Sequence, residues 1–188
     1  MAVEVLALLR REFPNIELLM IGPDNGDGSL EETRKRATEL GVSGSVRFAG
    51  VVPKAEVPSW LAQGTVFLNT TDIDNAPVSL LEAMACGLPV VSTNVGGISD
   101  LVEHGRNALL VPPRDARAMA ARISDVLRNS DLANELSKNG RQSANAHSWA
   151  RILPRWEEVL CAVIKGSSAA VRTTDASFEP LAEGADGS

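Results

Sequence analysis

The sequence predicts an α/β domain in which a parallel sheet is covered by helices on both faces. Three observations carry that prediction. Short apolar, β-branched runs alternate with segments of helical length. The two apolar runs within residues 66–94 are short, β-branched and bounded by turn residues, as in strands covered on both faces by helices. Strands alternating with helices of this length imply parallel pairing.

Each element follows from local signals. Residues 2–13 put Val3, Leu6 and Leu9 at helical spacing, and Pro14 ends that helix because it cannot donate a hydrogen bond. Residues 16–21 form an apolar strand interrupted only by Glu17, and Gly22-Pro23-Asp24-Asn25-Gly26 makes a turn-rich loop. A polar helix over 30–40 closes at Gly41, a natural left-handed cap. A short strand over 45–48 ends at Gly50, and residues 53–61 make a helix with Val57, Trp60 and Leu61 on one face.

Residues 66–94 then read as a buried strand, a polar elbow with Asp72 and Asp74, a short helix with Glu82, a turn at Gly87 and Pro89, and a second buried strand. Gly96-Gly97 lead into a helix over 99–102, where Ser99 and Asp100 are positioned to cap the free amides. A strand over 107–111 is stopped by Pro112-Pro113. Asp115 begins a long helix, Ser130 or Asp131 begins the next, and a last helix runs to residue 164. Trp149 and Trp156, seven residues apart on one face of that helix, are read as packing residues. Residues 1–165 form the expected domain, and 166–188, small and polar without a period, the expected disordered tail.

Composition narrows the function classes. With 188 residues, 44% apolar content and a formal net charge of −6, the chain reads as an ordinary globular domain whose main partner is not nucleic acid. Cys86 and Cys161 fit neither a disulfide framework nor a zinc spacing, and both are read as small core hydrophobes. The N-terminal apolar segment contains Glu4, has no basic region before it and is too short to span a membrane, so a cytoplasmic setting is expected.

In a parallel sheet, ligands collect beyond the carboxyl ends of the strands. Three loops qualify: 22–28, 70–77 and 93–99, each with small residues at the start of a helix, where free amides favour phosphate. Asp74 and Glu82 lie eight positions apart, and Glu82 sits among apolar neighbours in LLEAMA, a costly place for an unpaired carboxylate. Such a carboxylate either points outward, accepts hydrogen bonds from the vicinal hydroxyls of a ribose, or joins Asp74 as an acid and base pair or metal site. Spacing alone does not separate these readings.

The segment DNAPVSLLEAMACGLPVVSTNVGGISDLV resembles the donor-binding signature of the retaining glycosyltransferases of family 4, the group 1 class of two facing Rossmann-like domains called GT-B. ELLMIGPD, VRFAGVV and NVGGISDLVEHGRNALLVPP support the resemblance in the expected order, over nearly everything but the tail. The family signature is Glu-x7-Glu. The resemblance implies that Glu82 is its second acid and holds the nucleotide ribose. Asp74 stands in place of the first acid, at donor-sugar hydroxyls, and these two are the implied catalytic acids. It further implies that Asn75, Ala76, Pro77 and Ser79 line the donor turn, with Asn75-Ala76-Pro77 replacing the common Gly-Phe-Gly. Gly22 and Pro23, with the loop at 50–52, are implied to lie near the base, and Gly96 and Gly97 near the donor.

The implied reaction is sugar transfer, with retention, from a UDP- or GDP-linked donor to an acceptor hydroxyl. It requires no metal, the nucleotide sugar is a substrate, and no cofactor is implied. The acceptor-binding N-terminal domain and the first strand of the donor domain, whose loop typically carries an Arg and a Lys, are expected to be missing. The family's order places that strand between the segments 16–21 and 66–69, so a gap is expected there, in a fragment that alone transfers no sugar. A non-catalytic nucleotide-sugar module and a related epimerase are the competing readings. A phosphorylase is disfavoured because no lysine follows a suitable Gly-rich loop.

Overall fold

The computed structural model describes residues 1–164 and divides the chain into two compact units, Met1–Asn145 and Ala146–Ser188. The first unit alternates helix and strand: α1 (Ala2–Leu9), β1 (Leu18–Ile21), α2 (Ser29–Glu39), β2 (Val46–Gly50), α3 (Val57–Leu61), β3 (Phe67–Asn69), α4 (Val78–Ala85), β4 (Val90–Thr93), α5 (Ile98–Leu101), β5 (Leu109–Val111), α6 (Ala116–Arg128) and α7 (Ser130–Ala146). The second unit is described through α8 (Trp149–Ile164), which carries Trp149 and Trp156. The expected tail at 166–188 lies outside the described residues.

All pairing is parallel, as the sequence predicts, but the strands form two sheets where one is expected. β1 pairs with β2, and β3, β4 and β5 form the second sheet in that order. Between β1 and β3 lies a cavity of about 1050 Å³, lined by both strands, by α1 and by Trp60 and Leu61. The gap expected between those two strands is this cavity.

One helix joins the two sheets. α1 sends Val5 and Leu9 into a core with Val91, Leu109, Met119 and Ile123, and Val3 and Leu6 into a second core with Leu18, Ala37 and Val42. A third core packs Leu80, Ala83 and Met84 of α4 against Val90, Ile98 and Ala108. Burying a side chain of this size stabilises the fold by about 1.5–3 kcal/mol.

Several local readings hold and others shift. Gly41 adopts φ +69, with Val42 N–H donating to Ala37 O, which closes α2 as expected. The Asp115 carboxylate caps α6 by accepting from Ala118 N at 2.9 Å. α1 is shorter than expected: beyond Leu9 the chain continues through turns, with Phe13 N–H still donating to Leu9 O. Ser99 and Asp100 do not cap α5; they lie within it, and its start at Gly97 has no side-chain cap. Cys86 is half-buried and Cys161 exposed, so neither is the core hydrophobe expected.

Candidate functional site

The site is built at the carboxyl ends of β1, β3 and β4. At β1, Gly22 leaves the strand with φ +150, and its N–H donates to Gly50 O at 3.0 Å. That bond brings together the two segments expected to flank a base, and both Gly22 and Pro23 are exposed. At β3, the elbow over 70–77 is tied down through its carbonyls. Thr93 Oγ1 donates to Thr71 O at 2.6 Å, Thr71 Oγ1 to Ile73 O at 3.0 Å, and Gly97 N to Asp74 O at 3.2 Å.

The polar end of β4 makes this possible. Ser92 and Thr93 are fully buried, and Asn69 Nδ2 donates to Ser92 Oγ at 3.1 Å. Buried hydroxyls require partners, and here the partners are the next strand and the elbow. Sequence reasoning missed this role for Asn69, Ser92 and Thr93. The available signal was three polar residues, Ser92-Thr93-Asn94, ending an apolar run.

It also missed Arg114. The residue takes a left-handed φ of +60, unusual for a side chain with a Cβ, and its Nε donates to Asp72 Oδ2 at 2.9 Å. Asp72, placed by sequence only in the polar elbow, is thereby an exposed tether between the loops after β3 and β5.

Pro77 caps the start of α4 with its carbonyl, which accepts from Leu80 N–H at 3.1 Å. Ser79 and Glu82 then fall one turn apart, and both line the cavity with Ile21, Thr70 and Thr71. Glu82 is half-buried, and among the described residues its carboxylate has neither a hydrogen bond nor an ion pair. Asp74 is also half-buried with no side-chain partner among the described residues, but it does not line the cavity. Asn75 and Ala76 are exposed and Pro77 is buried. The structure therefore brings Ser79 and Glu82 to one wall, and joins Asp74 and Asn75 to Gly96 and Gly97 through backbone.

Arg47 is the one Lys or Arg among the described residues that line the cavity, and it is engaged. Its Nη2 donates to Gln63 Oε1 at 2.6 Å and its guanidinium lies 5.7 Å from the centre of the Trp60 ring. No group of three or more metal-ligating side chains occurs among the described residues, and no helix there is long and apolar enough to cross a membrane.

Comparison with known proteins places the chain in a family. The chain is 29% identical over 178 residues to the GDP-mannose-dependent alpha-(1-6)-phosphatidylinositol monomannoside mannosyltransferase of Mycobacterium tuberculosis, covering 89% of this chain and 44% of that protein. Among solved structures, sucrose-phosphate synthase from Thermosynechococcus elongatus superposes with a TM-score of 0.77 at 28% identity, covering 88% of this chain and 43% of that one. Anabaena HepE, solved in complex with UDP, gives a TM-score of 0.77 at 25% identity, with 86% and 45% covered. The chain thus spans less than half the length of each of these relatives. Its parallel strands and helices are those of one half of a GT-B glycosyltransferase. The family described as glycosyl transferases group 1 matches residues 1–143, and this chain belongs to it.

Proposed function

We propose that the chain is the donor-binding half of a retaining glycosyltransferase, holding a UDP- or GDP-linked sugar whose glycosyl group passes to an acceptor hydroxyl bound elsewhere. The observation that carries the reading is Glu82: a half-buried carboxylate with no partner among the described residues, lining the β1–β3 cavity together with Ile21, Thr70 and Thr71 at the carboxyl ends of those strands. An ionised carboxylate is an acceptor with up to four lone-pair sites, and the paired hydroxyls of a ribose supply matching donors. HepE was solved with UDP and with UDP-glucose, and the mycobacterial relative is GDP-mannose-dependent, which supports a nucleotide sugar as the ligand class.

In this reading Glu82 orients the nucleotide, and Asp74 accepts from hydroxyls of the sugar. Asn75, Ala76, Pro77 and Ser79 shape the turn around it. Gly22 and Pro23 flank the base through backbone. The donor is a substrate, and neither a cofactor nor a metal enters the proposal. Two cysteines without a disulfide suit a cytoplasmic setting.

Alone, the chain is proposed to bind without turnover. Departure of a nucleoside diphosphate needs positive charge where negative charge develops. Among the described residues, the one Lys or Arg lining the cavity, Arg47, is already held by Gln63 and Trp60. The acceptor side is proposed to come from an N-terminal domain or a separate chain.

Calorimetric titration of the purified chain with UDP and with GDP, beside Glu82→Ala, tests the reading. A lost charge-assisted hydrogen bond costs about 1.5–3 kcal/mol, so binding should weaken roughly 10- to 100-fold. Equal binding by both chains, or none by the unmodified chain, overturns the ribose role of Glu82. Turnover of any nucleotide sugar by the chain alone refutes the proposed dependence on an acceptor half. With that half supplied, an inverted product anomer would refute retention.

A further inference from the structure

The half-buried Asp74 carboxylate has no hydrogen-bonded partner among the described residues, so its position is set by its backbone. The entry to the elbow is held by threonine hydroxyls, at Thr71 O and Ile73 O. Its middle, Asp74-Asn75, rests directly on Gly96-Gly97. A Cβ on Gly96 would lie 1.9 Å from Asp74 O, and one on Gly97 would lie 2.3 Å from Asn75 O. Both distances are far inside contact, and in each case the obstacle is main chain, which cannot rotate away as a side-chain tip can.

We infer that Gly96-Gly97 is a positioning element that seats the Asp74 elbow by close backbone packing. The amide of Gly97 is already given to Asp74 O at 3.2 Å, and those of Ile98 and Asp100 to Val95 O and Gly97 O. α5 is a single turn, Ile98–Leu101. Three of the amides that would make this loop a phosphate cradle are therefore spent inside the protein, on the elbow and on the turn.

The two glycines separate two physical effects. Gly96 has φ +52, so a side chain there adds left-handed strain to the clash. Gly97 has φ −83 and ψ 11, a conformation open to alanine, so Gly97→Ala tests the contact alone. Ordinary contact begins near 3.4 Å, so the Asn75 carbonyl must retreat by about 1 Å. A displacement of that size at a site can cost about 100-fold in function. The consequence for binding rests on the donor-site reading, whereas the displacement itself does not.

The test uses amide NMR shifts and hydrogen exchange of the full chain, with Gly97→Ala compared against Gly105→Ala. Gly105 has φ +79 but nothing within 4 Å of where an added methyl would sit, so its substitution brings strain without contact. Gly97→Ala should shift the amides of Ile73 to Ala76, speed their exchange and weaken UDP-glucose or GDP-mannose binding at least about tenfold. Gly105→Ala should lower Tm and leave those amides in place. Unchanged elbow amides in a folded Gly97→Ala chain overturn the inference. If that variant does not fold, adding Asn75→Gly loosens the elbow so that it can yield; a folded double variant with the elbow unmoved overturns it equally. If UDP-glucose and GDP-mannose bind neither chain, the donor-site reading fails, and the elbow shifts still decide the positioning role.

Discussion

β4 and β1 are both four-residue strands, yet β4, whose last two residues are polar, buries all four and the wholly apolar β1 only one. β4 pairs on both sides, with β3 and β5, and has α4 and α6 among its packing neighbours. Among the described residues β1 pairs with β2 alone, and its other side borders the cavity. The difference teaches that strand sequence sets the capacity for burial, while the number of neighbours determines how much of it is realised. The candidate site lies along the boundary, with the polar end of β4 on one side and the end of β1 on the other.

The sharpest way to break this comparison is to make one substitution in both places. Met84, fully buried in α4 beside the three-stranded sheet, should cost about 2–5 kcal/mol on Met84→Ala. Met20, half-buried in β1 and lining the cavity, should cost under about 1 kcal/mol on Met20→Ala. Urea midpoints measure both, and equal losses would mean that the two-stranded sheet is as tightly packed as the other.

A smaller effect is expected at the caps. α6 packs beneath the three-stranded sheet and begins with a side-chain cap from Asp115, whereas α2 begins at Gly28 with φ +81 and no such cap. Asp115→Ala should destabilise by about 1 kcal/mol. Amide exchange in the first turn of α6 should rise toward that of α2, and an unchanged rate would remove this part of the contrast.

The smallest effect is set by pH. Glu12, just beyond α1, accepts from Ser124 Oγ and pairs with Arg128, both on α6. The Ser124 hydroxyl first, and then the Arg128 guanidinium, hold its carboxyl below the usual glutamate range. A carboxyl with a depressed folded pKa adds stability above its unfolded pKa and loses it as pH falls through the folded one. Stability curves from pH 7 into the acid range should therefore be shallower for Glu12→Gln, and identical slopes would show that the pair ties nothing down.

The sequence resolved some of these features and not others, for physical reasons. Runs such as the one ending at Thr93 could be assigned because covered strands need continuous apolar residues, and Asp115 could be assigned because a cap is a local event. The start of α5 is equally instructive: Ser99 and Asp100 are good caps, but the close packing of Gly96-Gly97 moved the helix start ahead of them. Glu82 was legible because a lone acid in an apolar helix stands out. The tether from Arg114 to Asp72 spans 42 positions and depends on a left-handed residue that nothing in its neighbours announces. The gap between segments 16–21 and 66–69 was expected only through family resemblance, since strand spacing within the chain is silent about which neighbours meet.

The cavity between β1 and β3 has a further consequence at high concentration. Among the described residues each of these strands pairs on one side only, so two rows of backbone groups border a largely apolar cleft. Sheet edges of this kind recruit extended segments of other molecules. The chain should therefore be limited less by unfolding than by colloidal loss, with light scattering that climbs with protein concentration well below Tm.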